Sequence, residues 1–367
     1  MRRIIAQARK ELTQVGRDKL TLTLALFLPL VLLALMGTAI SLSVTDLPIV
    51  VQDLDNSPAS RRYIEAFRNS LTFRIVELPT DEQPEESLLD NHARGAIIIP
   101  EHFGRDLERG MNTEVQFLVD ASDANTANIM RGASTAITLN FVKGMRSAIA
   151  IPIKADVRMW YNPGRESSTY IAPGMLAVGL SLFPPLLAAL AMSREGEQKT
   201  ILQVYVSSIS AREYLLGKIG AYWLIAVGEW ILSMMLAYFL FGLSIKGDPT
   251  PFVVCTAIYL FTTVSFGAMV GVAIPNQAAA IQAVQIAGFL FSYLLSGSIF
   301  PVSNIPFPFS IISRIIPARY YIVVARDALV RGGDWSGVWH IPFVLLGIGM
   351  FFFMVAWRNT RKMQVNA

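Results

Sequence analysis

The stretch SREGEQKTILQVYVSSISAREYLLGK, residues 193–218, is the longest charged segment between two membrane-length apolar runs. Its pattern predicts an amphipathic helix with Ser193 as the N-cap. Glu195 and Glu197 would lie in the first turn, where the helix dipole favours carboxylates. An apolar face would be formed at helical spacing by Ile201, Val204 and Tyr205. Two interpretations fit such a helix: a loop helix resting on lipid headgroups, or a docking element for a soluble partner.

The composition around this stretch excludes an ordinary soluble domain. Hydrophobic residues make up 53% of the 367 residues and charged residues 16%, and the mean hydropathy is +0.47. The single cysteine, Cys255, lies within an apolar run, so an intrachain disulfide is excluded and a thiol-based metal cluster is disfavoured. The three histidines lack the spacing of metal ligands. The sequence therefore gives no support for a metal site.

Charge is divided unevenly along the chain. Residues 44–167 hold 18 acidic and 13 basic side chains, a net charge of −5, whereas the remainder holds 9 acidic and 18 basic ones, a net charge of +9. Such a division is expected when one part of a chain lies outside a membrane and the other flanks the membrane inside. We expect residues 44–167 to be extracytoplasmic.

The first apolar run, residues 20–43, is uncharged and follows six basic residues in positions 1–19. As a helix it would be about 36 Å long, enough to cross a hydrocarbon core of about 30 Å. A cleaved signal peptide is the competing interpretation, but this run is longer than a typical signal core. We therefore expect a retained span, preceded by a cytoplasmic amphipathic helix that lies along the inner leaflet.

Between the first two spans, strand-like and helix-like patterns alternate. Such alternation predicts a compact α/β domain over residues 44–167, with Ser57 as the N-cap of its first helix. Strands are predicted at 49–55, 73–78, 96–99, 115–120 and 157–161. The fold class is thus a mainly α polytopic membrane protein of six transmembrane helices, with an α/β extracytoplasmic domain between the first and second. The five later spans are predicted at 170–192, 219–243, 252–274, 278–300 and 338–357.

The distribution of basic residues predicts that both termini are cytoplasmic. With that orientation, 13 Lys and Arg lie inside: six at the N-terminus, four in the 193–218 loop and three in the tail, residues 358–367. The segment 301–337 would lie outside although it carries four arginines. Its pattern suggests re-entrant or interfacial helices whose arginines reach outer headgroups.

The charged stretch and the order of segments resemble those of ABC type-2 transporter permeases. The loop of that family matches this chain at Arg194, Glu195, Glu197, Thr200, Ile209, Ser210, Gly217 and Lys218. The chain departs from the family pattern at Lys199, Leu202 and Ser208, where Gly, Glu and Pro are usual. Further familial pieces are QDLDNSPASRRYIEAF (52–67), ARGAIIIPEHFGRDLERG (93–110), VDASDANTA (119–127) and YNPGRESSTYIAPGM (161–175).

The resemblance implies a transport subunit of the bacterial inner membrane, not an enzyme. Two such subunits, identical or paralogous, would form the path, and separate ATP-binding cassette subunits would dock on the cytoplasmic loops and bind ATP and Mg²⁺. The chain itself has no G-x-x-x-x-G-K-[ST] motif, so we expect no cofactor here, and no nucleic acid partner. The large external domain suggests the drug-efflux or lipid-export branch, with a hydrophobic or amphipathic substrate. A periplasmic adaptor could join it in Gram-negative cells.

Glu229 is the one charge within the third predicted span. A carboxylate at a helix centre is unfavourable by about 2.5–3.5 kcal/mol, so Glu229 should face the bundle or a cavity. It is either a structural residue or part of the translocation path, to which the deep polar residue Gln285 could also belong. Two further interpretations remain open: a proton-coupled secondary transporter that uses Glu229, and a membrane sensor or scaffold that presents the external domain.

Overall fold

The computed structural model describes residues 1–39, 46–78, 83–90, 92–120, 124–145, 167–198, 209–298, 302 and 305–365. Its contacts divide the chain into two compact units. One consists of residues 1–41 and 159–367, and the other of residues 42–158. We call them the helical unit and the α/β unit and describe each by itself.

The helices and strands are numbered in chain order. The helices are α1 (Arg2–Arg17), α2 (Lys19–Ala39), α3 (Pro58–Arg68), α4 (Pro84–Leu89), α5 (Phe103–Glu108), α6 (Ala124–Met145), α7 (Ser167–Glu197), α8 (Ala211–Phe241), α9 (Pro249–Ala273), α10 (Gln277–Val284), α11 (Phe291–Leu295), α12 (Phe309–Ser313), α13 (Pro317–Arg326), α14 (Trp335–Val338) and α15 (Ile341–Val365). Two π-helical turns are π1 (Gln285–Leu290) and π2 (Asp327–Arg331). The strands are β1 (Leu47–Asp53), β2 (Phe73–Ile75), β3 (Gly95–Ile99) and β4 (Gln116–Val119).

Five helices in the described part of the helical unit are long and apolar enough to cross a membrane. They cover Ser168–Glu197, Ala211–Phe241, Pro249–Ala273, Gln277–Leu295 and Ile341–Arg361. Helix α2, where the first span is predicted, contains a shorter apolar stretch, Leu26–Thr38. The mainly helical class is confirmed, and the count of six spans stays a prediction.

The predicted helix start at Ser193 is wrong, because α7 continues through this residue to Glu197. Ser193 is fully buried, and its hydroxyl donates to the Leu190 carbonyl (3.3 Å) instead of capping a new helix. Serine tolerates a helix interior when its hydroxyl bonds back to the preceding turn. Glu195 and Glu197 therefore lie in the last turn of α7, where the helix dipole disfavours carboxylates and external partners are needed.

Helices α7 and α9 pack at close range through two glycines of α9. Gly267 and Gly271 are four positions apart, and a Cβ on either would overlap backbone atoms of Pro185 or Ala189 in α7. This small-xxx-small spacing lets two backbones approach each other, as is common between membrane helices. Beside this contact, the Tyr259 and Tyr321 rings stack 4.2 Å apart.

The segment before α15 is helical in short pieces, and Arg326 at the end of α13 connects it to other helices. The Arg326 guanidinium donates to the carbonyls of Gly297 (2.9 Å) and Ser298 (2.8 Å), just beyond α11. It also lies 3.8 Å from the centre of the Tyr170 ring in α7. A planar group with five donors suits such a set of carbonyls and a ring face.

The α/β unit contains a four-stranded sheet in the order β2-β1-β3-β4. Strand β1 pairs in parallel with β2 and β3, and β4 pairs antiparallel with β3. Of the five predicted strands, four are observed, and residues 157–161 lie outside the described part. Ser57 caps α3 with its hydroxyl as predicted, accepting from the Ala59 and Ser60 amides.

One face of this sheet carries an aromatic core formed with α3, α5 and α6. Its buried rings are Tyr63, Phe67, Phe73 and Phe103. The rings of Tyr63 and Phe67 meet edge to face with centroids 5.2 Å apart, a favourable arrangement for aromatic pairs. The opposite face packs a smaller cluster around Val50 and Ala96.

Candidate functional site

Helix α1 packs directly on α8, and the contact is closest at Gly217. A Cβ at this position would lie 2.6 Å from the Gln7 Cβ and 3.0 Å from the Ile4 carbonyl oxygen. Only a residue without a side chain allows this approach. The face of α1 that is buried carries Gln7, Glu11 and Val15, which are spaced by one helical turn each. Helix α1 is therefore held by helix packing through this face.

Three charged residues meet where α1, α7 and α8 converge, and we call Glu11, Glu195 and Lys218 the Lys218 cluster. The Lys218 ammonium lies 3.4 Å from a Glu11 oxygen and 3.2 Å from a Glu195 oxygen, and it donates to the Ala191 carbonyl at 3.1 Å. The side chains of Lys218 and Glu11 are each 2% exposed and that of Glu195 is 12% exposed. The ammonium thus has two carboxylates and one carbonyl oxygen within 3.4 Å.

Neighbouring polar groups satisfy the two carboxylates further. Glu11 accepts hydrogen bonds from the Gln7 amide (2.9 Å) and the Tyr222 hydroxyl (3.4 Å). Glu195 accepts from the Tyr214 hydroxyl and forms a second ion pair with Lys10 at 3.4 Å. Buried ions are stable only when such partners replace water, and removing one partner typically costs about 3–5 kcal/mol.

A polar cavity of about 220 Å³ lies beside the Lys218 cluster, between α1, α7 and α8. Its lining includes Arg194, one of the predicted loop residues, together with Gln14 and Gln198. The cavity lies where α7 ends and the 199–208 segment begins.

Glu197, the exposed carboxylate at the end of α7, contacts the start of α10. Its oxygen accepts from the Gln277 side chain at 2.7 Å and from the Gln277 backbone N–H at 3.4 Å. The N-terminus of a helix favours negative charge, so α10 offsets the unfavourable position of Glu197 at the end of its own helix. Glu197 thereby links α7 to α10.

The structure brings together only part of the residues predicted for the docking element at 193–218. Arg194, Glu195 and Lys218 lie at the cavity or in the cluster. Gly217 lies against α1, and Glu197 lies at the start of α10. Thr200, Val204 and Tyr205 lie outside the described residues, so the predicted apolar helix face stays a prediction. Beyond the gap, Ser210 caps α8 and Glu213 bonds back to it as a capping box.

Glu229 and Gln285 lie away from this site and differ from each other. Glu229 has no exposed surface, and neither of its oxygens has a hydrogen-bond partner among the described residues. It therefore faces the interior of the helical unit, as predicted. Gln285 is exposed on π1.

Sequence reasoning missed the acidic partner in α1 and the tyrosines of α8. Glu11 pairs with Lys218, Tyr214 donates to Glu195, and Tyr222 donates to Glu11. Glu11 and Tyr222 lie outside the 193–218 stretch, and Tyr214 lies within it but is not part of the loop pattern. One signal was available in the sequence. Gln7, Glu11 and Val15 share a face of α1, and an acid on the less basic face of a basic helix favours a partner on another element.

The comparison with family models matches residues 19–358 to the model described as "ABC-2 family transporter protein". This chain belongs to the ABC-2 transporter family. It is a membrane permease, as the order of its segments predicts, and its matched region includes both units of the structure.

Similar curated proteins come from Escherichia coli K12 and match along nearly their full length. The "Probable multidrug ABC transporter permease YbhS" is 26% identical over 98% of this chain and 97% of that protein. The "Probable multidrug ABC transporter permease YbhR" is 25% identical over 93% of each. The "Inner membrane transport permease YhhJ" is 27% identical over 99% of this chain and 98% of that protein.

Proposed function

We propose that this permease exports a hydrophobic or amphipathic compound, a drug-like molecule or a lipid, from the cytoplasm or inner leaflet. A separate ATP-binding subunit, which would hold ATP and Mg²⁺, drives the transport. Two similar proteins carry the word multidrug in their names, and this supports the substrate class.

The observation that carries this proposal is the Lys218 cluster. It joins the end of α7, the start of α8 and α1 at the two borders of the 199–208 segment. A partner that binds this segment would act on three helices at once through buried ionic contacts. A rigid connection of this kind is what a permease without its own nucleotide site requires.

The arrangement in the membrane follows from the same proposal. Both termini and residues 193–218 face the cytoplasm, and the 44–167 region is extracytoplasmic, where a periplasmic adaptor could bind. A second copy or a paralogue completes the path, and the exposed Gln285 on π1 supports a contact there.

Single cysteines at Asn69 and Asn112 should react with an impermeant maleimide in cells whose outer membrane is permeabilised. Labelling only after lysis of the inner membrane would overturn this topology.

The docking segment can be tested by co-purification with an ATP-binding cassette subunit that is co-expressed with this chain. A buried aromatic anchor can contribute about 2 kcal/mol or more to an interface, whereas rim charges contribute little. Tyr205→Ala should therefore reduce retention of the ATPase more than Glu197→Ala does. The matched control is Tyr238→Ala, an exposed tyrosine near the other end of α8.

Transport itself can be measured as ATP-dependent uptake of a fluorescent dye into inside-out vesicles that contain both subunits. Glu195→Ala should leave the complex intact but separate ATP hydrolysis from dye uptake, because it breaks the connection between α7 and α8. If Tyr205→Ala retains its partner and exports like the unmodified protein, residues 193–218 are not the docking element.

A second candidate function is proton-coupled transport through Glu229. The specific observation in its favour is the fully buried carboxyl group without a partner among the described residues. Dye export that a pH gradient drives without ATP, and that Glu229→Gln abolishes, would favour this alternative. Export that requires ATP and survives dissipation of the gradient would exclude it.

A further inference from the structure

The α/β unit contains a cavity of about 330 Å³ on the aromatic face of its sheet. It lies between α3, α5, β4 and the C-terminal half of α6. Five aromatic residues contribute to its wall, and the Tyr63 ring meets the Phe141 ring edge to face with centroids 5.0 Å apart. The inner wall is buried, whereas Leu139 at the mouth is 55% exposed. The volume of the cavity and its mostly apolar and aromatic lining match those of small-molecule sites in proteins.

The wall is uncharged, and three of its hydroxyl groups donate to backbone carbonyls. None of the described residues that line the cavity is charged. The Ser134 and Thr135 hydroxyls each donate to the Arg131 carbonyl, at 3.0 and 2.8 Å, and Thr138 donates to the Ser134 carbonyl at 2.8 Å. A hydroxyl has one donor and two acceptor positions, so these three groups offer only acceptors to anything inside the cavity.

In the hydrogen bond between Tyr63 and Thr138, the threonine hydroxyl is again an acceptor. Their oxygens are 2.7 Å apart, and because the Thr138 proton is directed to Ser134, Tyr63 is the donor. Four of the five hydroxyl groups in the wall, all except that of Thr113, therefore offer only acceptors, and the rest of the wall offers ring faces and aliphatic groups. A charged ligand would lose its hydration here without gaining an ionic partner.

We infer that this cavity binds an uncharged aromatic compound that carries a hydrogen-bond donor, the chemical class of phenols and indoles. The site lies within the α/β unit and is separate from the Lys218 cluster and from Glu229. Nothing in the inference requires transport or an ATP-binding partner.

The test is the protection of an engineered cysteine at the cavity mouth in the full-length chain. In a Cys255→Ala background, Leu139→Cys is labelled with a fluorescent maleimide in the presence of 2-naphthol. At about 80% occupancy the labelling rate should fall about fivefold, because only the free state reacts. The matched control is Ala136→Cys, an exposed position on α6 that does not line the cavity, where the rate should stay constant.

Two ligand analogues test the inferred chemistry. 2-Methoxynaphthalene lacks the donor, and 2-naphthoate carries a charge, so both should protect far less than 2-naphthol. Thr135→Phe, which fills the cavity from an exposed position, should remove the protection while the α/β unit stays folded by circular dichroism. Equal labelling with and without 2-naphthol up to its solubility limit would overturn the inference. Equal protection by either analogue, or equal protection of Ala136→Cys, would overturn it too. Because no ATPase is present, these outcomes do not bear on the proposed export function.

Discussion

Two buried ionisable residues of α8, Lys218 and Glu229, lie on the same side of the helix in opposite surroundings. They are separated by 11 positions, close to three helical turns. Lys218 has two carboxylates and a carbonyl around its ammonium group. Glu229 has no hydrogen-bond partner among the described residues. The effect of a buried ionisable group on stability thus depends on its neighbours more than on its burial.

The two residues therefore differ in what depends on them. Lys218 joins three helices through ion pairs, whereas no described ion pair or hydrogen bond depends on Glu229. Removing Lys218 takes the described cation from the buried Glu11 and leaves Glu195 with only its ion pair to Lys10, and this is strongly destabilising. Changing Glu229 breaks no ion pair that the structure shows. The predictions below test this contrast, beginning with the largest expected effect.

Lys218→Met should lower the free energy of unfolding by about 3–5 kcal/mol, because Glu11 and Glu195 lose their shared cation. Thermal unfolding in detergent, followed by circular dichroism, measures the change. Lys246→Met removes an exposed lysine and should stay within about 0.5 kcal/mol of the parent. A similar small loss for both variants would show that the cluster does not stabilise the helical unit.

Gly217→Ala should destabilise the contact between α1 and α8 by about 1–3 kcal/mol, because the new Cβ must displace Gln7 or the Ile4 backbone. Gly220→Ala lies in the same helix with nothing within 4 Å of its Cβ position. That control should stabilise α8 by up to about 1 kcal/mol through helix propensity. The same unfolding measurement applies, and equal effects of the two alanines would contradict the close packing of α1.

Glu229→Gln should change the unfolding free energy by less than about 1 kcal/mol, since the replacement keeps the shape and breaks no described ion pair. Expression should be preserved. If Glu229 takes part in transport, the variant changes dye uptake or its pH dependence. Unchanged uptake at every pH tested would leave only the structural role.

Glu197→Gln should have the smallest effect, about 0.5 kcal/mol or less, because its contact with the start of α10 is exposed to solvent. It is a counterpart to the buried Glu195 two positions earlier. Added salt should reduce the difference between the Glu197→Gln variant and the parent, since exposed interactions are screened. A loss as large as that of Lys218→Met would show that burial is not what distinguishes these contacts.

The long helices were predictable from the sequence because their signal is local. Apolar runs of membrane length predicted α7, α8, α9 and α15, with ends that differ by a few residues from those observed. The end of α7 was misjudged because serine suits both an N-cap and a helix interior, and only the backbone path decides between them. In the α/β unit the same local signals predicted the cap at Ser57 and four of the strands.

The Lys218 cluster was not predictable to the same degree because its contacts are distant along the chain. Glu11 and Lys218 are separated by 207 positions, and no periodicity in one sequence brings them together. The family pattern selected Glu195 and Lys218 as loop residues, but it did not indicate that they bind each other. The role of Gly217 likewise appears only when α1 is seen to cross it.

The ion pair and hydrogen bond from Glu195 to α8 also have a mechanical consequence. They join the two helices on either side of residues 199–208. A force on that segment therefore cannot separate α7 from α8 without breaking these contacts. Together with α1, the joined ends of α7 and α8 would move as one rigid body. Outside these joined helix ends lies the π1 turn, and π-helical turns interrupt the regular hydrogen-bond ladder of a helix.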